Sequence, residues 1–94
     1  MGISIQIPTP LRAYTQDAGE VEVDGATVGE AMRSLVTVHA SLEPHLYGGD
    51  GRLRSFVNLF LNDEDVRYMK QEETPVADGD TLTIIPSIAG GGAR

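Results

Sequence analysis

The sequence has no cysteine and no tryptophan, and its aromatic residues are three tyrosines and two phenylalanines. Without cysteine, a disulfide framework, a thiol nucleophile and a thiolate metal site are all excluded. With so few aromatic side chains, the core has to be built mainly from isoleucine, leucine and valine. No apolar run is long enough to span a bilayer, and the N-terminus lacks the pattern of a secretory signal. These absences predict a cytoplasmic protein with no membrane partner.

Basic residues are also scarce, since seven lysines and arginines face fourteen aspartates and glutamates, giving a formal net charge of −7. Affinity for nucleic acid comes largely from clustered basic side chains, so no nucleic-acid partner is expected. An acidic surface suits a basic protein partner or simply keeps the chain soluble, and the sequence leaves both interpretations open. A length of 94 residues allows one domain with one core.

Two alternating patterns near the N-terminus predict a β-hairpin. Residues 3–7 alternate isoleucine with polar residues, which is typical of a half-buried strand, and Pro8 and Pro10 end it. Residues 11–19 are predicted to be a turn or loop. Residues 20–24 alternate valine with acidic residues and predict a second strand paired with the first.

A helix is predicted to begin at Thr27, because Thr27 and Glu30 have the spacing of a capping box. The helix is expected to end near Val38. Its core-facing residues are predicted to be Val28, Ala31, Met32, Leu35 and Val36. Residues 41–47 are predicted to form a short helical turn that Pro44 breaks.

Residues 56–61 form the strongest strand pattern, with Val57, Leu59 and Leu61 on one face and Phe56, Asn58 and Phe60 on the other. If Phe56 and Phe60 lie on the sheet face away from the helix, they are candidates for a partner surface. Burial beneath a neighbouring loop is the alternative, and the pattern alone does not separate the two.

The remaining elements complete a β-grasp, the α+β fold of ubiquitin. A turn at residues 62–65 is followed by a predicted short returning strand at residues 66–68 and a last strand at residues 82–85, closed by Pro86. The expected architecture is a mixed sheet of four to five strands crossed by one main helix. Residues 1–86 are predicted to be the domain, and residues 87–94 a flexible glycine-rich tail.

The tail contains Ala89 followed by the glycines Gly90, Gly91 and Gly92. Glycine has no Cβ, so an extended glycine segment is able to thread a narrow channel into another enzyme's active site. Between Pro86 and Gly91 the chain spans roughly 20 Å when extended, at about 3.3 Å per residue. On the glycines alone, a flexible linker is the commoner explanation. The position of the run, directly after the last predicted strand, favours a functional tail.

Four segments make the sequence similar to one family. They are IQIPT at residues 5–9 with Leu11 and Arg12, VNLFLNDEDVR at residues 57–67, ADGD at residues 77–80 and PSIAGG at residues 86–91. The chain resembles the bacterial MoaD/ThiS sulfur carriers, and in particular the carrier of the cysteine-synthase pathway. The resemblance covers essentially the whole chain.

The resemblance implies that the chain is a carrier and not an enzyme, with no catalytic residue, metal or cofactor of its own. An E1-like enzyme would adenylate the carboxylate of Gly91 with ATP, and sulfur would then replace AMP to give a thiocarboxylate. Gly90 and Ala89 would be recognised as part of the tail. The implied sulfur acceptor is a cysteine synthase that uses pyridoxal phosphate, or another acceptor enzyme.

The sequence departs from the family where Gly92, Ala93 and Arg94 follow the diglycine. Either a peptidase removes them, with a JAMM-type metallopeptidase as the expected partner, or the tail is inactive. Thiamin, molybdopterin and tRNA thiolation remain alternative destinations for the sulfur. A ubiquitin-like protein modifier and an inert interaction module are the competing functions.

Two further sets of polar residues are candidate sites. His39 and His45 have no recognisable ligand spacing, so no metal site is predicted. The acidic residues 63–65 are interpreted as a solvated turn and not as an acid–base pair.

Overall fold

The computed structural model describes residues 2–86, and within them the chain forms five strands and two α-helices. In chain order these are β1 (Ile3–Gln6), β2 (Glu20–Val23), α1 (Val28–Val38), α2 (Glu43–Leu46), β3 (Val57–Leu61), β4 (Glu64–Asp65) and β5 (Thr81–Pro86). Short 3₁₀ turns join several of them. The order of strand, strand, helix, strand, short strand and strand is the predicted one.

The five strands form one mixed sheet in the order β2-β1-β5-β3-β4. β1 and β5 are parallel, whereas β1 with β2, β3 with β5 and β3 with β4 are antiparallel. The N-terminal hairpin and the mixed sheet packed against one main helix confirm the β-grasp prediction.

The core lies between the sheet and α1, and the alternation of each strand explains why. The odd-numbered residues of β1 and β3 and the even-numbered residues of β5 face α1, because successive side chains in a strand point to opposite faces. The buried strand residues are Ile3, Ile5, Val23, Val57, Leu59, Leu61, Leu82 and Ile84. All five predicted core residues of α1 are also buried, so the predicted helix face is confirmed.

The start of α1 is fixed by side-chain capping and by one close glycine. The backbone N–H of Glu30 donates to the Thr27 hydroxyl at 3.2 Å, and the Glu30 carboxylate accepts from the backbone N–H of Ala26 at 2.9 Å. This is the predicted capping box, with its return bond one residue earlier than the usual N-cap position. A Cβ on Gly25 would lie 2.7 Å from the backbone nitrogen of Ala31, so glycine lets this loop pack directly on the helix.

Residues 41–47 differ from the prediction, because Pro44 lies in the first turn of α2 and does not break it. Proline is favoured there because the first N–H groups of a helix have no intrahelical partner. Nor are residues 11–19 all irregular, since a 3₁₀ helix covers Thr9–Thr15. In residues 2–86 no helix is both long and apolar enough to cross a membrane.

The predicted returning strand at residues 66–68 is wrong. Asn62 and Asp63 have φ values of 50° and 75°, and positive φ at both central residues is characteristic of a tight two-residue hairpin turn. The chain therefore returns at once as β4, and Val66–Tyr68 forms a 3₁₀ turn. The Asp65 carboxylate caps this turn by accepting the backbone N–H of Arg67 at 2.9 Å.

Candidate functional site

β5 leads the chain toward the predicted tail from the middle of the sheet. It lies between β1 and β3 and is hydrogen-bonded to both. Its last residue, Pro86, pairs with Val57 at the start of β3. Whatever follows Pro86 is therefore anchored to a strand that is held on both sides and buried through Leu82 and Ile84.

The beginning of β5 is fixed by the side chain of Asn62. Its amide oxygen accepts from the backbone N–H of Thr81 at 3.0 Å, and its amide nitrogen donates to the Asp80 carboxylate at 3.1 Å. The backbone N–H of Asn62 also donates to the Thr81 carbonyl at 2.9 Å. These bonds tie the turn after β3 to the start of β5 and so fix the register of the central strands.

Ala89, Gly90 and Gly91, which the sequence predicts to be the working part of the tail, lie outside the described residues. The same holds for Gly92–Arg94 and for the predicted boundary between domain and tail. The structure describes the tail's anchor at β5 and the surfaces around that anchor.

The sheet face away from α1 carries Phe60 and Ile85, and Phe56 lies in the turn directly before β3. We name these three apolar residues the open-face patch. Phe60 is half-buried, while Phe56 and Ile85 are 41% and 44% exposed. Phe60 pairs directly with Thr83, so Ile85 is its diagonal neighbour across β3 and β5. Grouped exposed apolar residues are typical of a protein-binding surface.

Only part of the open-face patch was predicted from the sequence. Phe56 and Phe60 are both outside the core, as the partner-surface hypothesis requires, although Phe56 lies in the turn before β3 and not within it. Ile85 was missed. The signal was present, because Leu82 and Ile84 share one face of a strand and an apolar residue at position 85 has to face the other.

A charged pair borders the open-face patch. Asp65 is paired across the sheet with Phe60, and its carboxylate accepts from Nη2 of Arg67 at 2.7 Å and from Nε of Arg67 at 3.1 Å. This hydrogen bonding by Arg67 holds the pKa of Asp65 below its ordinary value. The carboxylate therefore stays ionised, and the rim of the patch is polar beside an apolar centre.

The two histidines lie in different elements, His45 in α2 and His39 at the end of α1. The ring of His45 stacks on Tyr14, with 4.1 Å between the ring centres. His39 is the C-cap residue of α1. Across residues 2–86, no three histidine, aspartate or glutamate side chains are grouped so as to hold a metal ion.

Comparison with known protein families shows which family the chain belongs to. The model of the ThiS family matches residues 5–91, which is nearly the whole domain together with the diglycine. The chain belongs to the ThiS family. The match ends at Gly91, three residues before the end of the given sequence.

This ThiS-family chain is 38% identical over 93 residues to the sulfur carrier protein CysO of Mycobacterium tuberculosis, covering 97% of the chain and 100% of that relative. It superimposes with a TM-score of 0.85 and 43% identity on a chain in the crystal structure of the Amycolatopsis orientalis BexX/CysO complex, covering 95% and 99% of the two chains. It is also 39% identical over 72 residues to small archaeal modifier protein 1 of Haloferax volcanii, covering 76% and 78%.

Proposed function

We propose that this ThiS-family protein is a sulfur carrier that bears its sulfur as a thiocarboxylate on Gly91. The observation that carries the proposal is the family match, which extends to Gly91 and includes the near full-length similarity to CysO. The anchoring of β5 on both sides supports it, because a carrier has to hold its tail on a rigid base. Residues 87–94 would be the flexible arm on the domain of residues 1–86.

The proposed chemistry needs no catalytic group from this chain. A carboxylate oxygen of Gly91 attacks the α-phosphorus of ATP on an E1-like enzyme, and pyrophosphate leaves. Sulfide then attacks the acyl carbon of the resulting anhydride, and AMP leaves to give the thiocarboxylate. If a persulfide attacks instead, AMP leaves an acyl disulfide, and a thiol of the sulfur donor has to reduce the S–S bond to release the thiocarboxylate. The carboxylate becomes an electrophile only in this anhydride, and all catalysis belongs to the activating enzyme.

We assign the sulfur to cysteine formation, since the relatives include CysO. The acceptor would be a cysteine synthase that uses pyridoxal phosphate, and that cofactor belongs to the acceptor and not to this chain. The nucleophile is the thiocarboxylate sulfur, which adds to an aminoacrylate on the acceptor and forms a new carbon–sulfur bond. The product stays joined to the acyl carbon of Gly91, and hydrolysis of that acyl bond releases it. This assignment places the carrier in the cytoplasm with its enzymes.

A cleavage step precedes activation in this proposal. In the given sequence Gly91 is followed by Gly92, Ala93 and Arg94, so its carbonyl is part of a peptide bond and has no free carboxylate. Hydrolysis after Gly91 would create that carboxylate. A JAMM-type metallopeptidase is the proposed agent, because release of the product from the same glycine requires the same kind of bond cleavage.

Mass spectrometry of the intact protein from its native cells tests this function. The expected result is a chain that ends at Gly91, with a fraction in which sulfur replaces one carboxylate oxygen. Because the sequence has no cysteine, a thiol-alkylating reagent should label only that fraction. Detection of the 94-residue chain alone, unreactive to the reagent, would contradict the proposal.

A second function is favoured by one comparison, the 39% identity to small archaeal modifier protein 1. A modifier would use the same activated glycine but would form isopeptide bonds with lysines. Denaturing gels of cell extract probed for this protein separate the functions, because a modifier gives a ladder of covalent conjugates and a carrier gives a single band.

The open-face patch is proposed to contact the activating enzyme. Phe60→Ala is expected to raise the KM for the carrier about tenfold or more, as truncation of an aromatic interface residue does. The free energy of unfolding should fall by less than the roughly 3–5 kcal/mol typical of truncating a core phenylalanine, because Phe60 is only half-buried. Kinetics of ATP–pyrophosphate exchange and urea unfolding measure the two quantities.

Val38→Ala is the matched control for Phe60→Ala, since Val38 is an exposed apolar residue on α1 and not on the open face. It should change neither quantity. If Phe60→Ala instead lowers the stability strongly and leaves the KM unchanged, Phe60 serves the fold and not the interface.

A further inference from the structure

Three arginines line a groove on the α1 side of β3, and the role proposed above does not use them. The groove has a volume of about 560 Å³, and Arg52, Arg54 and Arg67 lie around it. Val57 and Leu59 of β3 contribute its apolar floor. We name this feature the arginine groove.

The arginine groove reverses the charge of the protein locally. Glu72 lines the groove and the Asp65 carboxylate is bonded to Arg67, so three arginines less these two carboxylates leave a formal charge of +1. The whole chain carries −7 and has only seven lysines and arginines. Such a concentration of cations in an acidic protein creates a local potential that attracts an anionic partner.

Two of the three arginines are held in place by other groups. Nε of Arg54 donates to the carbonyl of Pro44 at 3.0 Å. Nε and Nη2 of Arg67 donate to the Asp65 carboxylate. A side chain that is already ordered loses less entropy on binding, so the Arg54 guanidinium is prepared to receive a ligand. Arg67 is already paired with Asp65 and contributes less to binding an anion.

Arg52 is different. Its side chain is exposed, and its guanidinium makes no hydrogen bond or ion pair with another residue between 2 and 86. Its backbone N–H donates to the Asp50 carboxylate at 3.0 Å. Its guanidinium is therefore available to a carboxylate, with which arginine forms paired hydrogen bonds.

The apolar part of the groove favours a peptide ligand over a free inorganic anion. Val57 and Leu59 are buried, so the half-buried Leu53 is the apolar side chain of the lining that a free inorganic anion would leave uncovered. A peptide segment that carries acidic residues beside an apolar one satisfies both parts of the groove. Such pairing of an apolar contact with a charged rim is the usual construction of a protein interface.

The groove also lies where a partner enzyme has to approach. Val57 is in its floor and pairs with Pro86, the last described residue of β5. An enzyme that receives the tail therefore passes close to Arg54 and Arg52 on one side of β3 and to the open-face patch on the other. The two surfaces flank the point at which the tail begins.

We propose that the arginine groove binds an acidic segment, containing at least one apolar residue, on the activating enzyme. This inference rests on the proposed function and adds the chemistry of the partner's surface. Recognition at a charged rim mainly accelerates association and depends on salt, so its loss appears in the KM for the carrier and not in the rate at saturation.

Arg52→Glu tests the groove in a form of the protein that ends at Gly91, with its activating enzyme and ATP–pyrophosphate exchange as the readout. The expected result is a KM for the carrier that is about tenfold higher, with a kcat within about twofold of wild type. Raising the salt concentration should increase the wild-type KM steeply and the variant KM only slightly.

Lys70→Glu is the matched control, because it makes the same two-unit change in net charge at an exposed residue that does not line the groove. Its KM should stay within about threefold of wild type. Equal KM values for Arg52→Glu and Lys70→Glu would overturn the groove and leave the carrier function intact. Absence of exchange by every form, wild type included, would overturn the carrier function and the groove with it.

Titration of the carrier alone with ATP tests whether the groove binds a nucleotide instead of a protein segment. No saturable binding is expected, since the proposed ligand is a peptide segment. Saturable ATP binding that Arg52→Glu abolishes would identify the groove as a nucleotide site and overturn the assignment to a protein partner.

Discussion

A form of the protein that ends at Gly91 is expected to exchange label between pyrophosphate and ATP with its activating enzyme, whereas the 94-residue chain is expected to give an exchange rate lower by about a hundredfold or more. Adenylation requires a free carboxylate on the residue that reaches the α-phosphate. In the longer chain that carboxylate belongs to Arg94, whose long charged side chain would be excluded from a channel fitted to glycine.

A form that ends at Gly92 is the matched control for this experiment. It presents a glycine carboxylate, as the Gly91 form does, but on a tail one residue longer. Loss of exchange in the Gly92 form shows that the activating enzyme requires a tail of a certain length. Retained exchange shows that the enzyme requires a glycine at the terminal position. Equal exchange by the 94-residue chain and the Gly91 form would contradict the proposed cleavage after Gly91. Absence of exchange by every form would contradict the carrier function itself.

Leu35→Ala is expected to lower the free energy of unfolding by about 2–5 kcal/mol. Leu35 has no exposed surface and lies on the face of α1 that packs on the sheet. The loss comes from the buried side-chain carbons and from the cavity they leave, because alanine itself is the residue best suited to a helix. Urea unfolding followed by circular dichroism measures the change.

Val38→Ala provides the comparison within the same helix. Val38 is the last residue of α1 and is 65% exposed, so its truncation should change the stability by less than about 0.5 kcal/mol. A Leu35→Ala effect as small as that of Val38→Ala would show that α1 does not pack on the sheet through Leu35.

The fold was predictable from the sequence where a periodic pattern is long or a cap is explicit. Residues 3–7 alternate strictly, residues 56–61 form an apolar run interrupted only by Asn58, and Thr27 with Glu30 marks the start of α1. Where the structure depends on one or two dihedral angles, the prediction failed. The hairpin turn at Asn62 and Asp63 needs positive φ at both residues, and the sequence signal for that is weaker than an asparagine–glycine pair would be.

The candidate surfaces were predictable only within one strand. Phe56 and Phe60 are four residues apart in one segment, and alternation predicts that residues an even number apart in a strand share a face. The arginine groove has no such signal, because Arg52 and Arg54 meet Arg67 only after the chain has passed through β3 and the following turn. A set of residues assembled by tertiary packing has no spacing to recognise.

The central position of β5 also determines when the protein is able to finish folding. Ser4 of β1 pairs with Thr81 of β5, so the middle of the sheet closes only when two segments from opposite ends of the domain meet. Pairings so distant in sequence cost loop-closure entropy and slow the folding of small domains. During synthesis the ribosome releases β5 after all the other strands. The sheet is therefore completed by the strand that directly precedes the tail. The tail has a rigid base only when folding is complete.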